Sequence, residues 1–432
     1  MATERLSSIL NHLRPTSNSG GLDAITQQNP DDVVITLAIR TPLCKARKGG
    51  LKDTPLDGIL VKILKKVNEK SGLDPQLVED ICLGNVSEGK AAYYVRAAAL
   101  AAGFPNTTGA STVNRFCSSG LKAVQDIADQ ISLGSIEIGL ALGAESMTAG
   151  GDRLTRPFVD EITAHQEAAD CMQPMGQTSE NVGNDFDISR EAQDRYAAES
   201  YQRAERAQKA GLFDDEIVPI TATIKDPKTG EEKDVTLTKD EGPRYGTTAE
   251  SLSKLRAAFM PHGDKSTGGN SSQVTDGATA EGHMLTLVQA AAVLLMKRST
   301  AQRLNQPILA KFVGATVAGV APRIMGIGPS LAIPKLLTKY NLSLARDIDV
   351  IEINEAFASM AVYCLRELGI DHAKLNPRGG AIALGHPLGC TGARQIVTGL
   401  SECRRQGKKI LLTSMCIGTG MGMAGLFVNE QV

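Results

Sequence analysis

Short apolar runs alternate with stretches of helical periodicity along most of the chain, and the same order of elements occurs twice. Each copy begins with a strand, continues through a turn that opens a helix, and ends with a further strand. In the first copy these parts are residues 78–85, the turn at Cys117 with its helix to Leu133, and 136–143; in the second they are 347–354, the turn at 385–387 with its helix from Thr391 to about Glu402, and 409–413. Strands that alternate with helices predict an α/β protein whose sheets are covered by helices. Stacking two such units would bring turns that are distant in sequence into one cleft.

The stretch between the two copies, from about residue 150 to 273, has no counterpart in the second copy. Its clearest helix covers residues 191–212, with Ser189 before it as the N-cap and Gly211 as a stop signal. The turn residues at 226–230 indicate a surface hairpin. An insertion of this length in an α/β protein usually shapes a binding site, and a surface excursion without function is the alternative.

The turn at 113–124 carries the first candidate for chemistry, because it places Cys117 where a strand or loop becomes a helix. The unpaired N–H groups and the positive end of a helix favour a thiolate over a thiol. A small buried cysteine beside a glycine-containing turn is the alternative, since free cysteine is among the most buried residue types. Cys117 is therefore a candidate nucleophile whose role depends on its neighbours.

Three further segments that follow predicted strands carry groups suited to acyl transfer. Asn354 precedes a helix, so its amide is expected near the N-cap, where it could hold a water or an oxyanion. His386 lies in a glycine-containing turn from which its imidazole can project, at the place where the first copy has Cys117. Cys416 ends a strand and is followed by the glycine-rich residues 417–422, whose N–H groups can converge on one point. Taken singly, a helix cap and a loop histidine are more often structural.

Two glycine-rich segments resemble phosphate-binding loops, and neither fits. Residues 84–91 nearly match a nucleotide P-loop, but Ala91 replaces the hydroxyl that ligates magnesium. Residues 418–422 resemble a dinucleotide-binding turn, but the chain ends ten residues after Gly422, too soon for the helix and strand of such a unit. Nucleotide hydrolysis and dinucleotide binding are therefore not expected.

Length and composition narrow the function classes further. The 432 residues exceed what one core usually supports, so two or three domains are expected. Lys and Arg total 46 against 48 Asp and Glu, which argues against nucleic acid as a partner. The eight cysteines include no Cys-x-x-Cys pair and no Cys/His cluster at zinc spacing, which indicates free thiols in a reducing compartment and no metal site. The longest apolar run, 285–296, is too short to predict a membrane span.

The first 30 residues are polar and lack a strand pattern, apart from one short amphipathic face. Arg5-Leu6, five residues and then His12-Leu13 resemble the N-terminal type of peroxisomal targeting signal, which an import receptor reads. A mitochondrial presequence is disfavoured because Glu4 interrupts a segment that should lack acids, and a frayed terminus is the other alternative. The resemblance implies a location in the peroxisome matrix.

The four candidate segments together resemble the thiolase family, and the match is close to its degradative, peroxisomal branch. The motifs are Asn-Arg-x-Cys-Ser-Ser-Gly at 114–120, the segment 354–358, Gly-His-Pro within 379–394, and Cys-x-Gly-x-Gly within 414–422. The resemblance implies an α/β fold of duplicated halves in five layers, αβαβα, with a loop domain inserted in the first half and a dimer or tetramer as the assembly. The implied division is a targeting segment at 1–30, a first half at 31–149 and 275–302, an inserted domain for CoA and substrate at 150–274, and a second half at 303–432.

The resemblance also implies an activity: thiolytic cleavage of a 3-oxoacyl-CoA by CoA, the last step of fatty-acid β-oxidation, through an acyl-cysteine intermediate. Cys117 would attack the 3-keto carbon, with His386 as general base. Cys416 would protonate the acetyl-CoA enolate and then activate free CoA. His386 with a water held by Asn354 would stabilise the enolate, and the backbone N–H groups of Cys117 and Gly418 the acyl intermediates. CoA is then a co-substrate, and no permanently bound cofactor is implied.

The family's contacts to CoA and to the acyl chain carry over to a second group of positions. They are Arg244, Ser272, Phe259, Phe357 and Met175. Arg244 would otherwise be a solvated surface charge. Pro174, where the short-chain biosynthetic branch has a histidine, favours medium or long acyl chains.

Three departures from the family pattern limit this transfer. Phe116 stands where these thiolases usually have glutamine, directly before Cys117. Residues 87–94 lack the expected Gly/Ala-rich form near the dimer contact. Residues 279–289 intervene where residues 276–278 should lead almost at once into a strand. A genuine surface loop and an unremoved translated intron are the two interpretations, and either can displace a strand of the first half; Ser272 lies close before the insertion.

Other functions stay open on the residues alone. The runner-up is condensation of two acetyl-CoA molecules to acetoacetyl-CoA, the same steps in reverse. A non-catalytic acyl-CoA or lipid carrier is disfavoured because Cys117, His386 and Cys416 are all present. A structural or cargo role that depends on the targeting segment is the third alternative.

Overall fold

The structure, a computed structural model, describes residues 20–45, 48–147, 158–273 and 287–431. Its strands are β1 Val33–Arg40, β2 Cys44–Lys45, β3 Asp80–Gly84, β4 Gly109–Val113, β5 Ile138–Ser146, β6 Ile220–Lys225, β7 Glu232–Leu237, β8 Leu287–Lys297, β9 Ala310–Gly319, β10 Val350–Ile353, β11 Ile410–Ile417 and β12 Met421–Asn429. Its α-helices are α1 Leu22–Thr26, α2 Leu56–Ser71, α3 Ala91–Ala101, α4 Ser119–Ser132, α5 Asp160–Thr163, α6 Gln166–Ala169, α7 Met175–Asp185, α8 Arg190–Lys209, α9 Ala249–Ser253, α10 Arg298–Arg303, α11 Gly328–Lys339, α12 Leu344–Asp347, α13 Ala358–Glu367, α14 Ala381–Leu384 and α15 Thr391–Gln406. Short 3₁₀ helices are Pro75–Leu77, Asp170–Met172, Pro322–Ile327 and His372–Lys374.

The strands of the first half form a mixed sheet in the order β4-β3-β5-β8-β1. β3 pairs in parallel with β4 and β5, whereas β8 pairs antiparallel with both β5 and β1. The two-residue strand β2 adds to one end of β8.

The second half repeats this topology. Its order is β10-β11-β12-β9, with β10 parallel to β11 and β12 antiparallel to both of its neighbours. A parallel bridge from Ile351 to Leu375 supplies the edge position that β4 occupies in the first half. The two sheets join where Val34 and Ile35 of β1 pair with β9. The predicted duplication of one α/β unit is therefore confirmed.

Helices fill the three layers around the two sheets. α4 and α15 pack against each other between the sheets, α2 and α3 cover the outer face of the first sheet, and α11 and α13 cover the second half. Successive side chains of β8 point to opposite faces of the sheet. Val293 and Leu295 face the central helices, while Leu294 and Met296 belong to the core on the outer face. The expected five-layered α/β fold is confirmed.

The two central helices touch through their first turns. A Cβ atom added to Gly120 of α4 would lie 2.7 Å from the backbone nitrogen of Ala393, and one added to Gly392 of α15 would lie 2.3 Å from that of Leu121. No side chain fits at either position without moving a backbone. The turns that precede α4 and α15 are therefore held side by side.

Residues 158–273 pack mainly against the second half. α7 and α8 contact α13 and contribute to one core with it. The predicted N-cap Ser189 accepts a hydrogen bond from the Ala192 N–H, and Gly211 has the left-handed φ of 70° that ends the helix. β6 and β7 form the predicted hairpin around 226–230.

A buried ion-pair network joins the inserted residues to both halves. Glu216 bonds Arg40 at the end of β1 and Arg378 in the second half, at 2.6 and 3.1 Å. Arg40 also bonds Asp240, and Arg378 bonds Glu402. These side chains are almost completely buried, so loss of one partner would leave an uncompensated charge in the interior.

The expectation for residues 279–289 is wrong at its C-terminal end. Residues 287–289 belong to β8, which lies between β1 and β5 and is not displaced. Gln289 pairs with Glu145 of β5 and donates to the Thr41 carbonyl at 3.1 Å. The apolar pattern places the start of this strand at Ala290, because Gln289 is polar although it is completely buried.

Several predictions fall outside the described residues. The targeting residues Arg5, Leu6, His12 and Leu13 lie there, as do the proposed domain boundaries at 149/150 and 274/275 and residues 279–286. The division of the chain into domains stays a prediction. Among the helices that the structure describes, none is long and apolar enough to cross a membrane.

Candidate active site

Cys117 lies in the connection from β4 to α4, two residues before the helix begins. The hydroxyl of Ser119 accepts from the N–H of Arg115 at 2.9 Å and donates to the carbonyl of Phe116 at 2.6 Å. The Asn114 side chain accepts from the Phe116 N–H at 2.9 Å. These bonds fix the turn, and Cys117 is 7% exposed at the start of a 14-residue helix, as the sequence predicted.

Phe116 adopts a left-handed φ of 45°, which is rare for an aromatic residue and costs roughly 1–3 kcal/mol. A Cβ atom added to Gly418 would lie 3.4 Å from the Phe116 ring, so the ring packs on this glycine. The residue that departs from the family pattern therefore joins the Cys117 turn to the loop after Cys416.

His386 is buried, and both of its ring nitrogens have partners. Nδ1 lies 2.7 Å from Oγ1 of Thr391, whose own proton goes to the Pro387 carbonyl at 2.9 Å. Because this hydroxyl has one proton, we assign the Nδ1–H as the donor to Thr391. Nε2 then carries the lone pair and accepts from Nδ2 of Asn354 at 3.2 Å.

The pKa of His386 is lowered to about 3, first by burial and second by the charge of Arg394. The imidazole is therefore neutral at neutral pH, with Nε2 as its basic atom. This is the form that a general base requires.

Burial of a neutral His386 is expected to make the fold sensitive to acid. Because its pKa falls from 6.5 to about 3 on folding, the unfolded chain binds a proton below pH 6.5 that the native protein does not, and stability is lost as the pH falls toward 3. In urea unfolding from about pH 7 to about pH 5, the wild type should lose about 2 kcal/mol more than His386→Asn. The exposed His262→Asn variant is the control and should lose as much as the wild type. Equal losses in all three proteins would contradict the buried neutral imidazole.

Asn354 lies in the loop between β10 and α13, and not at the N-cap of the helix as expected. α13 begins at Ala358 with Phe357 as its N-cap. The Asn354 N–H donates to the Ser414 carbonyl at 2.9 Å, which extends the strand by one residue. Its buried Oδ1 has no hydrogen-bond partner in the part of the chain that the structure describes, which leaves an acceptor for a bound molecule.

Cys416 lies near the end of β11 and is completely buried, with its Sγ 3.3 Å from Sδ of Met360. Its pKa is raised well above the usual range, first by burial and then by the charge of Cys117. Cys416 is therefore a protonated thiol beside Cys117. The turn that follows has left-handed φ angles at Thr419 and Gly420.

Three of the residues matched to CoA contacts meet at the segment that follows Asn354. The rings of Phe259 and Phe357 meet edge to face, with centroids 6.0 Å apart. The Ser272 N–H donates to the Ala356 carbonyl at 3.0 Å, directly before Phe357. Met175 opens α7 and is 39% exposed.

Arg244 is exposed, and its guanidinium has no hydrogen-bond or ion-pair partner among the residues described. Gly242, two residues earlier, lies against the Leu384 carbonyl, where an added Cβ atom would approach to 2.3 Å. The segment of Arg244 therefore passes next to the turn of His386.

Sequence reasoning missed two buried carboxylates that hold these loops. Glu145 accepts from the N–H groups of Val86, Ser87 and Gly389 at 2.9–3.2 Å, which ties a first-half loop to the turn of His386. Burial raises the pKa of Glu145. The position of a charged residue at the end of an otherwise apolar run was the available signal.

Glu355 is the second of these carboxylates. It accepts from the hydroxyls of Tyr196 and Ser200 on α8, at 3.0 and 2.7 Å, and from the Ile382 N–H at 3.1 Å. It therefore links the inserted residues to the loops of Asn354 and His386. Sequence reasoning also missed Thr391, the partner of the His386 Nδ1, although it lies within the motif at 379–394.

His386 does not occupy the position that corresponds to Cys117. Gly120 and Gly392 are the second residues of α4 and α15, so the counterpart of Cys117 is Gly389. His386 lies three residues before Gly389, in a loop that the first half lacks. The two turns correspond, but the base comes from a local elaboration of the second one.

Among the described residues, no three His, Cys, Asp or Glu side chains group as metal ligands.

The thiolase N-terminal domain model matches residues 33–286, and the thiolase C-terminal domain model matches residues 306–429. The peroxisomal 3-ketoacyl-CoA thiolase of Yarrowia lipolytica is 51% identical over 412 residues, 95% of this chain and 96% of that protein. The human peroxisomal 3-ketoacyl-CoA thiolase is 46% identical over 433 residues, 98% of this chain and 99% of that protein.

Solved structures resemble the whole fold. The dimeric peroxisomal thiolase of Saccharomyces cerevisiae superposes with a TM-score of 0.84 at 45% identity and covers 94% of this chain and 100% of its own. The acetyl-CoA acetyltransferase of Bacillus anthracis has a TM-score of 0.79 at 37% identity, covering 92% of this chain and 98% of its own.

Proposed function

The chain belongs to the thiolase family, and from this premise we propose that it cleaves 3-oxoacyl-CoA with CoA to give acetyl-CoA and an acyl-CoA two carbons shorter. The observation that carries the proposal is a protonated, buried Cys416 beside Cys117, together with a neutral His386 imidazole whose basic nitrogen is defined. Asn354, which holds that nitrogen, is bonded through its backbone to Ser414, two residues before Cys416. Nucleophilic attack, proton transfer to carbon and a second deprotonation each require one of these three groups.

In the first half-reaction, the Cys117 thiol gives its proton to Nε2 of His386, and the sulfur bonds to the 3-keto carbon. The C2–C3 bond then breaks, and its electron pair leaves as the enolate of acetyl-CoA. Cys416 donates its proton to C2, which leaves an acylated Cys117, an imidazolium and a Cys416 thiolate. The raised pKa of Cys416 makes this thiolate a strong base.

In the second half-reaction, that thiolate takes the proton of free CoA. The CoA sulfur attacks the thioester, the bond between Cys117 and the acyl carbon breaks, and the imidazolium returns its proton to Cys117. His386 and a water held by Asn354 stabilise the enolate oxygen, and the N–H groups of Cys117 and Gly418 stabilise the tetrahedral oxyanions. All three side chains end in their starting forms.

The acyl chain and CoA are proposed to follow the groups around this point. Phe259 and Phe357 form an apolar wall for the pantetheine arm, and the unpaired guanidinium of Arg244 is suited to a CoA phosphate. Ser272 lies beside Phe357, and the half-exposed Met175 borders the acyl entrance. CoA acts as co-substrate in this proposal.

Chain-length profiling of thiolysis tests the function. We expect kcat/KM for 3-oxopalmitoyl-CoA to exceed that for acetoacetyl-CoA by at least roughly tenfold, because each methylene buried on apolar side chains contributes about 0.8 kcal/mol. CoA-dependent loss of the 3-oxoacyl-CoA absorbance measures both rates. Cleavage of acetoacetyl-CoA alone would favour the condensing activity, and absence of cleavage with both would refute the proposal.

Thr391 is expected to act by holding the tautomer of His386. Thr391→Val removes the acceptor of the Nδ1–H and should lower kcat by about tenfold to a hundredfold with KM little changed, because the imidazole can then turn or exchange tautomers. Thr391→Ser keeps the hydroxyl and should stay within about threefold of the wild type. A valine variant as active as the serine variant would contradict the role.

We also propose a homodimer located in the peroxisome. The structure neighbour from yeast is dimeric by its description, and both relatives are named as peroxisomal. β4 is an edge strand with Gly109, Ser111 and Thr112 exposed, and α3 beside it exposes Tyr93 and Leu100. An open edge strand next to apolar side chains is suited to a second copy of the chain. Import through a receptor that reads Arg5, Leu6, His12 and Leu13 is part of the same proposal.

A further inference from the structure

The strand and the helix that hold the imidazole of His386, β10 and α15, are also joined by a second contact. Asn354 and Thr391 hold the two ring nitrogens, from the end of β10 and the start of α15. Glu352 lies two residues before Asn354, and Arg394 lies one helical turn after Thr391. Nη1 of Arg394 donates to Oε2 of Glu352 at 3.0 Å. Strand and helix are therefore bridged twice, once by the imidazole and once by an ion pair.

The ion pair is buried and incompletely hydrogen bonded. Both side chains are 1% exposed. Oε1 of Glu352 and Nη2 of Arg394 have no hydrogen-bond partner among the described residues. Two polar atoms of neighbouring residues also lack a partner there: Oε1 of Gln395, and Oγ1 of Thr413, which lies opposite Glu352 in β11. One hydrogen bond offsets only part of the desolvation of two charges. The carboxyl of Glu352 is therefore poised between its charged and neutral forms.

Three charged groups face Glu352: Arg394 from α15, Glu355 from the loop after β10, and Glu216 from the inserted residues. Glu216 is already paired with two buried arginines, and Glu355 is bonded to two hydroxyls. Burial and these carboxylates raise the pKa of Glu352 to about 7, against the attraction of Arg394. Arg394 is also the charged group that acts on His386.

We propose that Glu352 controls the basicity of His386 by cancelling, when ionised, the positive charge of Arg394. The inference rests on the proposed function, in which His386 takes the Cys117 proton. Glu352 and Arg394 are positioning residues here, because neither touches the reacting atoms. Their effect is electrostatic and depends on the net charge of the pair.

The sign of the effect follows from the arrangement. With Glu352 ionised, the pair is neutral and proton uptake by His386 is opposed only by burial. With Glu352 neutral, the full charge of Arg394 opposes the imidazolium of His386. Proton transfer from Cys117 to His386 is then less favourable, and the thiolate population falls.

Alkylation of Cys117 by iodoacetamide as a function of pH measures this population. Glu352→Gln leaves Arg394 uncompensated and should slow alkylation at neutral pH about tenfold, with the midpoint of the profile about one unit higher. The matched double variant Glu352→Gln/Arg394→Gln removes both charges and should return to within about threefold of the wild type. If the pair were only structural, the single and double variants would keep the wild-type midpoint of the alkylation profile and differ only in melting temperature, and that result would overturn the proposal.

Two further measurements keep the test decisive. Glu352→Asp retains the charge and should keep the wild-type midpoint even if it lowers the melting temperature. The wild-type profile itself, between about pH 5.5 and 8.5, should be broader than a one-proton curve, because the ionisation of Glu352 and the loss of the proton that Cys117 and His386 share are separate, coupled steps. A one-proton curve contradicts the proposal whether or not the glutamine variants fold.

His386→Asn separates this inference from the proposed function. If it leaves the alkylation profile unchanged, His386 is not the base and the proposed mechanism fails with it. If His386→Asn moves the profile and Glu352→Gln does not, only the control by Glu352 is refuted.

Discussion

Cys117→Ala is expected to abolish thiolysis, with kcat lower by roughly 10⁴-fold or more, because no other thiol can form the acyl intermediate at this position. The neighbouring Cys416 is buried, protonated and required for proton transfer, so it cannot substitute. Mass spectrometry after mixing with acyl-CoA should show an acylated wild-type protein and no adduct on the variant.

The control for this loss is another buried cysteine outside the site. Cys82 is 3% exposed in β3, and Cys82→Ala should keep wild-type turnover and acylation. Turnover by Cys117→Ala at the rate of this control would remove Cys117 as the nucleophile. Acylation of Cys117→Ala at a second cysteine would remove the assignment as well.

Cys416→Ala is expected to lower kcat by about 10³–10⁴-fold through a different step, the proton transfers to carbon and from CoA. Its diagnostic measurement is exchange of the acetyl-CoA methyl protons in D₂O, followed by NMR or mass spectrometry. The wild type should incorporate deuterium, because Cys416 removes and returns a proton at C2, and the variant should not.

The neighbour of Cys416 offers a matched comparison. Met360→Leu keeps an apolar side chain against Sγ of Cys416 and should retain exchange within about tenfold. Exchange by Cys416→Ala at the wild-type rate would assign the carbon acid–base step to another group. Together, the two cysteine variants should separate covalent chemistry from proton transfer to carbon.

The features that could be predicted from sequence are those that depend on local pattern. The surroundings of a cysteine at the start of an amphipathic helix are set by backbone contacts within the same segment. Cys117 could therefore be identified from one segment of the sequence. The duplicated order of strands and helices likewise predicted the halves and their stacking. Apolar periodicity is sufficient for both, because it is set by the geometry of strands and helices.

The features that could not be predicted depend on contacts between distant segments. Glu145 serves the turn of His386 from 244 residues away, and although a charge at the end of an apolar run marks it as unusual, nothing local identifies its partner. Gln289 was excluded from β8 because a polar residue interrupts the apolar run, yet its amide is satisfied by the Thr41 carbonyl. Asn354 was expected to cap a helix that in fact begins four residues later. In each case tertiary hydrogen bonds override the local preference.

The contact between Gly120 and Gly392 has a consequence for how the site tolerates change elsewhere. Where backbone rests directly on backbone, there are no rotamers to rearrange, so the spacing of the two catalytic turns has a single solution. Substitutions in the surrounding apolar layers change side-chain packing but keep this backbone contact, whereas a single added methyl group at either glycine would displace both turns at once.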